Sequence, residues 1–177
     1  MSIDARLVPA AVKLRTAWQP WLTTLVRLGL AVVWLVAGAS KIHDLRHAGQ
    51  VVNAYRILPY DVAMAVGSAQ PFVEVALGVL LLVGMATRLM AGLSVVLMAA
   101  FVAGIIWVWA HGYRIDCGCF GGGGELAAGQ RPTYLLDVLR DLGLLLVAGF
   151  LLARPRGWLA VDNWLRGERQ IPHGQEN

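Results

Sequence analysis

Four long apolar blocks separated by short polar segments dominate this chain. Residues 89–111 open with the run LMAGLSVVLMAAFVAGIIWVWA, which carries no charge. At about 20 residues per crossing of a ~30 Å hydrocarbon core, that block alone is long enough to span a bilayer. Residues 62–86 form a similar block whose one charge is Glu74, residues 21–41 are interrupted by Arg27 before ending on Lys41, and residues 134–153 carry Asp137, Arg140 and Asp141 near their start. Because an isolated backbone in lipid must satisfy its own hydrogen bonds, each block is read as a helix. The pattern predicts an all-α integral membrane protein, a four-helix transmembrane bundle with spans at about 21–41, 62–86, 89–111 and 134–153.

Both ends have a weaker, amphipathic pattern. Val8, Ala11, Val12, Leu14, Ala17 and Trp18 share a rough helical face with Lys13 and Arg15 turned away, and Trp158, Val161, Trp164 and Leu165 repeat the pattern near the other end. These segments are expected to lie along the headgroups, where tryptophan rings and basic side chains both find partners. No fixed-period repeat and no Pro-rich or Ser-rich linker divides the chain, so residues 1–177 read as one membrane domain: 1–20 interfacial, 21–153 the bundle, 154–177 a cytoplasmic tail. Asp4 breaks the basic character that a cleavable signal peptide would need, and no short apolar core with a small-residue cleavage site precedes the first span.

Composition agrees with the blocks. The chain is 58% hydrophobic and 15% charged, more apolar surface than a soluble domain of 177 residues can wrap. Its net charge of +4 suits an anionic lipid leaflet; with no basic patch interleaved with stacking aromatics outside the spans, nucleic acid is not a partner. Four spans would put both termini and the turn at Arg88 on one side, with Arg6, Lys13, Arg15, Arg88, Arg154, Arg156, Arg166 and Arg169 there and Lys41, Arg46, Arg56, Arg114 and Arg131 opposite. Eight basic residues against five favour cytoplasmic termini in a bacterial plasma membrane, and hence an extracytoplasmic loop at 112–133.

That loop holds the chemistry. Its Asp-Cys-Gly-Cys-Phe-Gly run contains both cysteines of the chain, Cys117 and Cys119, with Gly118 between them. Outside the cytoplasm such a pair can form and break a disulfide, and Gly118 eases the tight turn that ring closure needs. One cysteine as thiolate would form a mixed disulfide with a partner and the other would resolve it. Which sulfur attacks is left open: Arg114 could lower a thiol pKa while Asp116 would raise it. The same thiolates could instead handle a soft metal such as Cu(I), with Asp116 or His111 nearby, or the loop could be structural in a membrane assembly scaffold. The Gly run at 121–124 is not a phosphate loop, because no Gly-Lys-Ser/Thr follows and no strand precedes it.

Ionisable groups inside the spans form the second class of candidates. Counting ~1.5 Å per residue, Glu74 lies near mid-bilayer and Arg27 about 9 Å from the inner end of its span. A charge at that depth costs a few kcal/mol, so Glu74 should face the interior and meet Arg27, Arg140 or another polar group. Asp137 and Asp141 share a face of the fourth helix beside Arg140, about 9 Å below its outer end, and are expected beneath the Cys pair. By physics alone Lys41 snorkels to the outer interface, His111 belongs to an aromatic belt with Trp107 and Trp109, and His43 and His47 solvate a loop. The segment 42–61 reads as a short polar surface loop whose Pro59 stops any helix before the second span.

Taken in order, Arg-Leu-Gly-Leu and Ala-Gly-Ala-Ser-Lys in the first block, Tyr-Arg-Ile-Leu-Pro, Pro-Phe-Val-Glu, Cys-Gly-Cys-Phe-Gly and finally Arg-Asp resemble the MauE branch of the DoxX-like membrane proteins over about residues 22–153. The resemblance implies a four-helix bundle and marks Lys41, Tyr55, Pro59, Glu74, Cys117, Cys119, Phe120, Gly121, Arg140 and Asp141. It also implies methylamine utilisation, and work with the thioredoxin-like protein MauD in maturing the disulfide-rich small subunit of methylamine dehydrogenase. The expected function is a membrane thiol–disulfide oxidoreductase or electron-transfer subunit supporting disulfide formation in a secreted or periplasmic partner. A quinone is the candidate electron acceptor.

Overall fold

A computed structural model describes residues 7–127 and 129–154, with side chains from residue 21 onward. Five helices account for most of it: α1 (Leu7–Lys41), α2 (Leu45–Ala54), α3 (Tyr60–Val83), α4 (Thr87–Ala110) and α5 (Tyr134–Ala153). Between α4 and α5 two short strands, β1 (Ile115–Asp116) and β2 (Gly124–Glu125), pair antiparallel with Ile115 opposite Glu125.

Among the described residues three helical segments are long and apolar enough to cross a membrane: Trp21–Lys41, Tyr60–Val83 and Thr87–Ala110. The helix α5 has the length, at 20 residues, but carries Asp137, Arg140 and Asp141 in its first two turns. Polarity is inverted relative to a water-soluble protein. Arg27, Glu74, Ser94 and Asp141 are buried, whereas Leu25, Val32, Phe72, Val96, Leu139 and Leu146 are exposed. A lipid solvent explains that inversion, since an outward leucine then costs nothing and an outward charge costs several kcal/mol.

Packing follows from small residues. The helices α1 and α3 lie side by side, as do α4 and α5, and α2 lies on the N-terminal half of α3. A Cβ on Gly67 of α3 would come within 2.5 Å of the Ala48 carbonyl oxygen, so only glycine lets α2 and α3 touch backbone to backbone. Leu30, Trp34, Leu77, Leu81, Met98 and Leu151 fill the main core, with the Trp34 indole donating to Ser94 Oγ at 2.9 Å. A second apolar cluster at the other end joins Ala54, Ile105, Val108, Ile115, Cys117 and Tyr134.

Several expectations change here. The segment 42–61 is not simply a surface loop: α2 forms within it, capped by Asp44 Oδ1, which accepts from the His47 amide at 2.9 Å. Its Ala48, Val51 and Ala54 are buried on one face, a spacing that helical periodicity could have revealed. The helix α1 runs unbroken from Leu7 into the first span, so the N-terminal segment is continuous with it; the side chains of its amphipathic face lie outside the described residues, as does the segment with Trp158, Val161, Trp164 and Leu165. Pro59 stands as the N-cap of α3, and Gly84, in the left-handed region at φ 76°, ends that helix. Arg27 is no partner of Glu74. Its Nη1 donates to the Leu81 and Leu82 carbonyl oxygens at 2.7 and 3.1 Å, meeting the negative end of α3.

Candidate functional site

The Cys loop folds tightly over the C-terminal end of α4 and the N-terminal end of α5. Tyr134, the first residue of α5, accepts from the Ile115 amide through its hydroxyl at 3.0 Å and donates to the Tyr113 carbonyl oxygen, pinning both ends of the loop together. The Tyr55 hydroxyl, at the end of α2, donates to the Cys117 carbonyl oxygen at 3.1 Å. Burial pushes the Tyr55 hydroxyl far up, so it stays a donor at any physiological pH. The His47 ring reaches the Gly122 carbonyl oxygen at 3.2 Å, so His47 holds the loop rather than merely solvating its own.

Gly118 adopts φ 67°, and a Cβ there would meet Val51 Cγ1 at 2.7 Å. A side chain at this position is therefore penalised twice, by the left-handed backbone and by contact with α2. The result is a turn that aims both sulfurs at the first two turns of α5.

Cys117 and Cys119 are free thiols. Arg140 Nη2 donates to Cys117 Sγ at 3.6 Å, and Arg140 Nε donates to Asp141 Oδ1 at 2.9 Å. Cys119 Sγ lies 3.8 Å from Asp141 Oδ2. Arg140 Nη1 lies 3.3 Å from Asp137 Oδ1, and Asp137 Oδ2 accepts from Thr133 Oγ1 at 2.9 Å. The Arg140 guanidinium also stacks over the Phe120 ring, 5.0 Å from its centroid. Arg140 is thus a hub that touches a thiol, two carboxylates and an aromatic face.

Electrostatics splits the pair. Hydrogen bonding from the Cys119 thiol, partly opposed by burial and helped by Arg140, lowers Cys117 from an ordinary 9.0 to about 7. Cys119 moves the other way, because it donates to Cys117, is buried, and faces the charges of Cys117 and Asp141. Near neutral pH a substantial share of Cys117 is thiolate while Cys119 stays protonated. The cation responsible is Arg140, not Arg114, whose Nη2 donates to the Gln130 carbonyl oxygen.

A second polar group lies below. Lys41 does not snorkel: its Nζ donates to Glu74 Oε1 and Oε2 at 2.8 and 2.9 Å, with side-chain exposures of 8% and 0%. Gln70, one turn before Glu74 on α3, donates to Glu74 Oε1 at 2.8 Å. Gln70 was not singled out from the sequence, although its i−4 spacing from a mid-span carboxylate was a usable signal. His111 contacts the Trp107 ring, and Gly121 packs near Ser40 at the end of α1.

The two polar groups are joined by a cavity of about 290 Å³. Its wall includes Lys41, Gln70, Tyr55, Cys117 and Cys119 together with apolar residues of α2, α3 and α4. Among the described residues no three His, Cys, Asp or Glu side chains converge as a metal-binding group.

A family model described as methylamine utilisation protein MauE matches residues 19–154. The methylamine utilization protein MauE of Paracoccus denitrificans is 32% identical over 131 residues, covering 73% of this chain and 68% of the relative. No solved structure matches.

Proposed function

The chain belongs to the methylamine utilisation protein MauE family, and on that premise we propose that it is a membrane thiol–disulfide oxidoreductase whose Cys117–Cys119 pair oxidises thiols of an extracytoplasmic partner. The observation that carries this is the unequal pair itself: Arg140 Nη2 is 3.6 Å from Cys117 Sγ while Asp141 is 3.8 Å from Cys119 Sγ. A structural loop has no need of one thiolate and one thiol held apart by a fixed cation and a fixed carboxylate.

The asymmetry suits one order of events. Cys119 is the less buried residue of the two taken whole, and in the oxidised pair we assign it as the one a partner thiolate attacks. Attack there breaks the Cys117–Cys119 bond, forms a partner–Cys119 disulfide, and releases Cys117 as a thiolate that Arg140 receives. The thiol of lower pKa leaves faster, so Cys117 is the better leaving group. A second partner thiolate then attacks the mixed disulfide, the partner departs with its own disulfide, and Cys119 takes up a proton beside Asp141.

Membership extends the proposal in two directions. The outer face of α5 carries Leu135, Leu136, Leu139, Leu142 and Leu146, all exposed, while its ionisable residues turn toward the Cys loop; this supports α5 as a fourth span, with the Cys pair outside and both termini in the cytoplasm. We also extend the relative's named role, methylamine utilisation, to this chain, with a thioredoxin-like or secreted redox protein as partner.

The test is trapping. Cys117→Ser keeps the reachable sulfur and should accumulate a disulfide-linked partner, whereas Cys119→Ser should not. If neither variant captures a partner and the wild-type pair never closes under oxidising buffer, the loop is structural and the scaffold reading replaces this one.

A further inference from the structure

We infer that the cavity beneath the Cys loop binds the ring of a membrane quinone, which takes the electrons of the reduced Cys117–Cys119 pair. This rests on the thiol chemistry proposed above and names the acceptor that such chemistry requires. Both sulfurs line the same cavity as Lys41 and Gln70, so an occupant touches the dithiol on one side and hydrogen-bond donors on the other.

Size, polarity and access agree. A volume of about 290 Å³ lies at the small end of the ~300–1,000 Å³ range of small-molecule pockets, enough for one substituted ring and too little for a folded peptide loop. Lys41 directs two of its three N–H groups at Glu74 and Gln70 directs one of two, so each retains a hydrogen for a carbonyl oxygen. The Lys41 charge is balanced by Glu74, which makes the site suitable for a neutral acceptor rather than an anion. Phe101 and Val52 supply flat and aliphatic wall, and the rim at Ile57, Leu58 and Val66 is exposed and apolar. An isoprenoid tail leaving over that rim would enter lipid, whereas a water-soluble oxidant would have no use for it.

The step balances. The Cys117 thiolate and the Cys119 thiol lose two electrons and one proton, the Cys117–Cys119 S–S bond forms, and the quinone gains the two electrons and two protons, the further proton coming from water, to become a quinol. The Cys119 proton leaves toward Asp141, its 3.8 Å neighbour, and the ring oxygens take theirs from the Lys41 side of the cavity.

The experiment uses the full-length protein, purified, stripped of lipid and reduced. It is mixed with a decyl-tailed, fully substituted benzoquinone, which cannot arylate thiols, and in parallel with diamide; thiol mass-tagging reads disulfide closure and ultraviolet absorbance reads quinol. The expected result is closure by both reagents, with one quinol per disulfide. Ala100→Trp, which projects into the cavity from α4, should raise the half-saturating quinone concentration about tenfold or more, with folding checked by its thermal midpoint. Closure by diamide but not by quinone overturns the quinone site and leaves the thiol chemistry standing. Closure by neither overturns the thiol chemistry itself. Quinone closure with equal affinity in Ala100→Trp removes the site from this cavity.

Discussion

Arg140 and Cys117 are 23 residues apart in the chain, yet the guanidinium Nη2 lies 3.6 Å from the sulfur. The same guanidinium is held by Asp141 at 2.9 Å and Asp137 at 3.3 Å, so its position is set by carboxylates on its own helix before any thiol chemistry begins. A pre-placed cation of this kind stabilises a thiolate without reorganising.

Removing that cation should raise the Cys117 pKa. In wild type the rate of alkylation of Cys117 should rise through about pH 7, and in Arg140→Gln the midpoint should move toward the ordinary 9.0, with alkylation near pH 7 slowed severalfold. Measurement of iodoacetamide rates against pH in a Cys119→Ala background with and without Arg140→Gln isolates the Arg140 contribution. An unmoved midpoint in a merely less stable protein would make Arg140 a helix clamp.

The same shift predicts a pH dependence of stability. Cys117 is an acid whose folded pKa is depressed, so its contribution is full above the ordinary 9.0 and is lost as pH falls toward and through about 7. Over that window the wild-type thermal midpoint should climb with pH more steeply than that of Cys117→Ser. Parallel curves would show that the thiolate is not stabilised by the fold.

The Lys41–Glu74 pair is buried at 8% and 0% exposure, so breaking it strands a charge. Lys41→Met should cost about 3–5 kcal/mol, and Lys41→Met with Glu74→Leu should recover most of that loss, because replacing both members removes the charge left behind. Detergent unfolding of the purified variants gives the coupling; additive costs would mean that the two side chains do not act as a pair.

Gly118→Ala should cost about 1–2 kcal/mol for the left-handed backbone alone, with the Val51 contact adding to it. Adding Val51→Ala should relieve only the contact. If Gly118→Ala closes the Cys117–Cys119 disulfide as fast as wild type, the φ of 67° is no requirement of the redox turn.

Sidedness has a direct assay. After mild reduction of intact cells, Cys117 and Cys119 should react with a membrane-impermeant maleimide. Labelling only after the cells are opened would reverse the orientation drawn from the eight-to-five distribution of basic residues.

Local signals determined much of this protein. An uncharged run such as 89–110 must be a helix in lipid because its backbone can satisfy itself only within the segment, and Cys-Gly-Cys declares a reactive turn from three adjacent residues. The dipole-complementing site of Arg27, the meeting of Lys41 with Glu74 across 33 positions, and the choice of Arg140 over Arg114 as the thiol's cation were decided only in tertiary structure. Sequence says that a buried charge needs a partner, but its distance from each rival depends on how helices rotate and cross. Here those crossings are set by contacts such as Gly67 against Ala48, which bring α2, the Cys loop and the cavity into register. A single extra Cβ there would move them all, and no periodicity along one chain segment encodes where the neighbouring helix will lie.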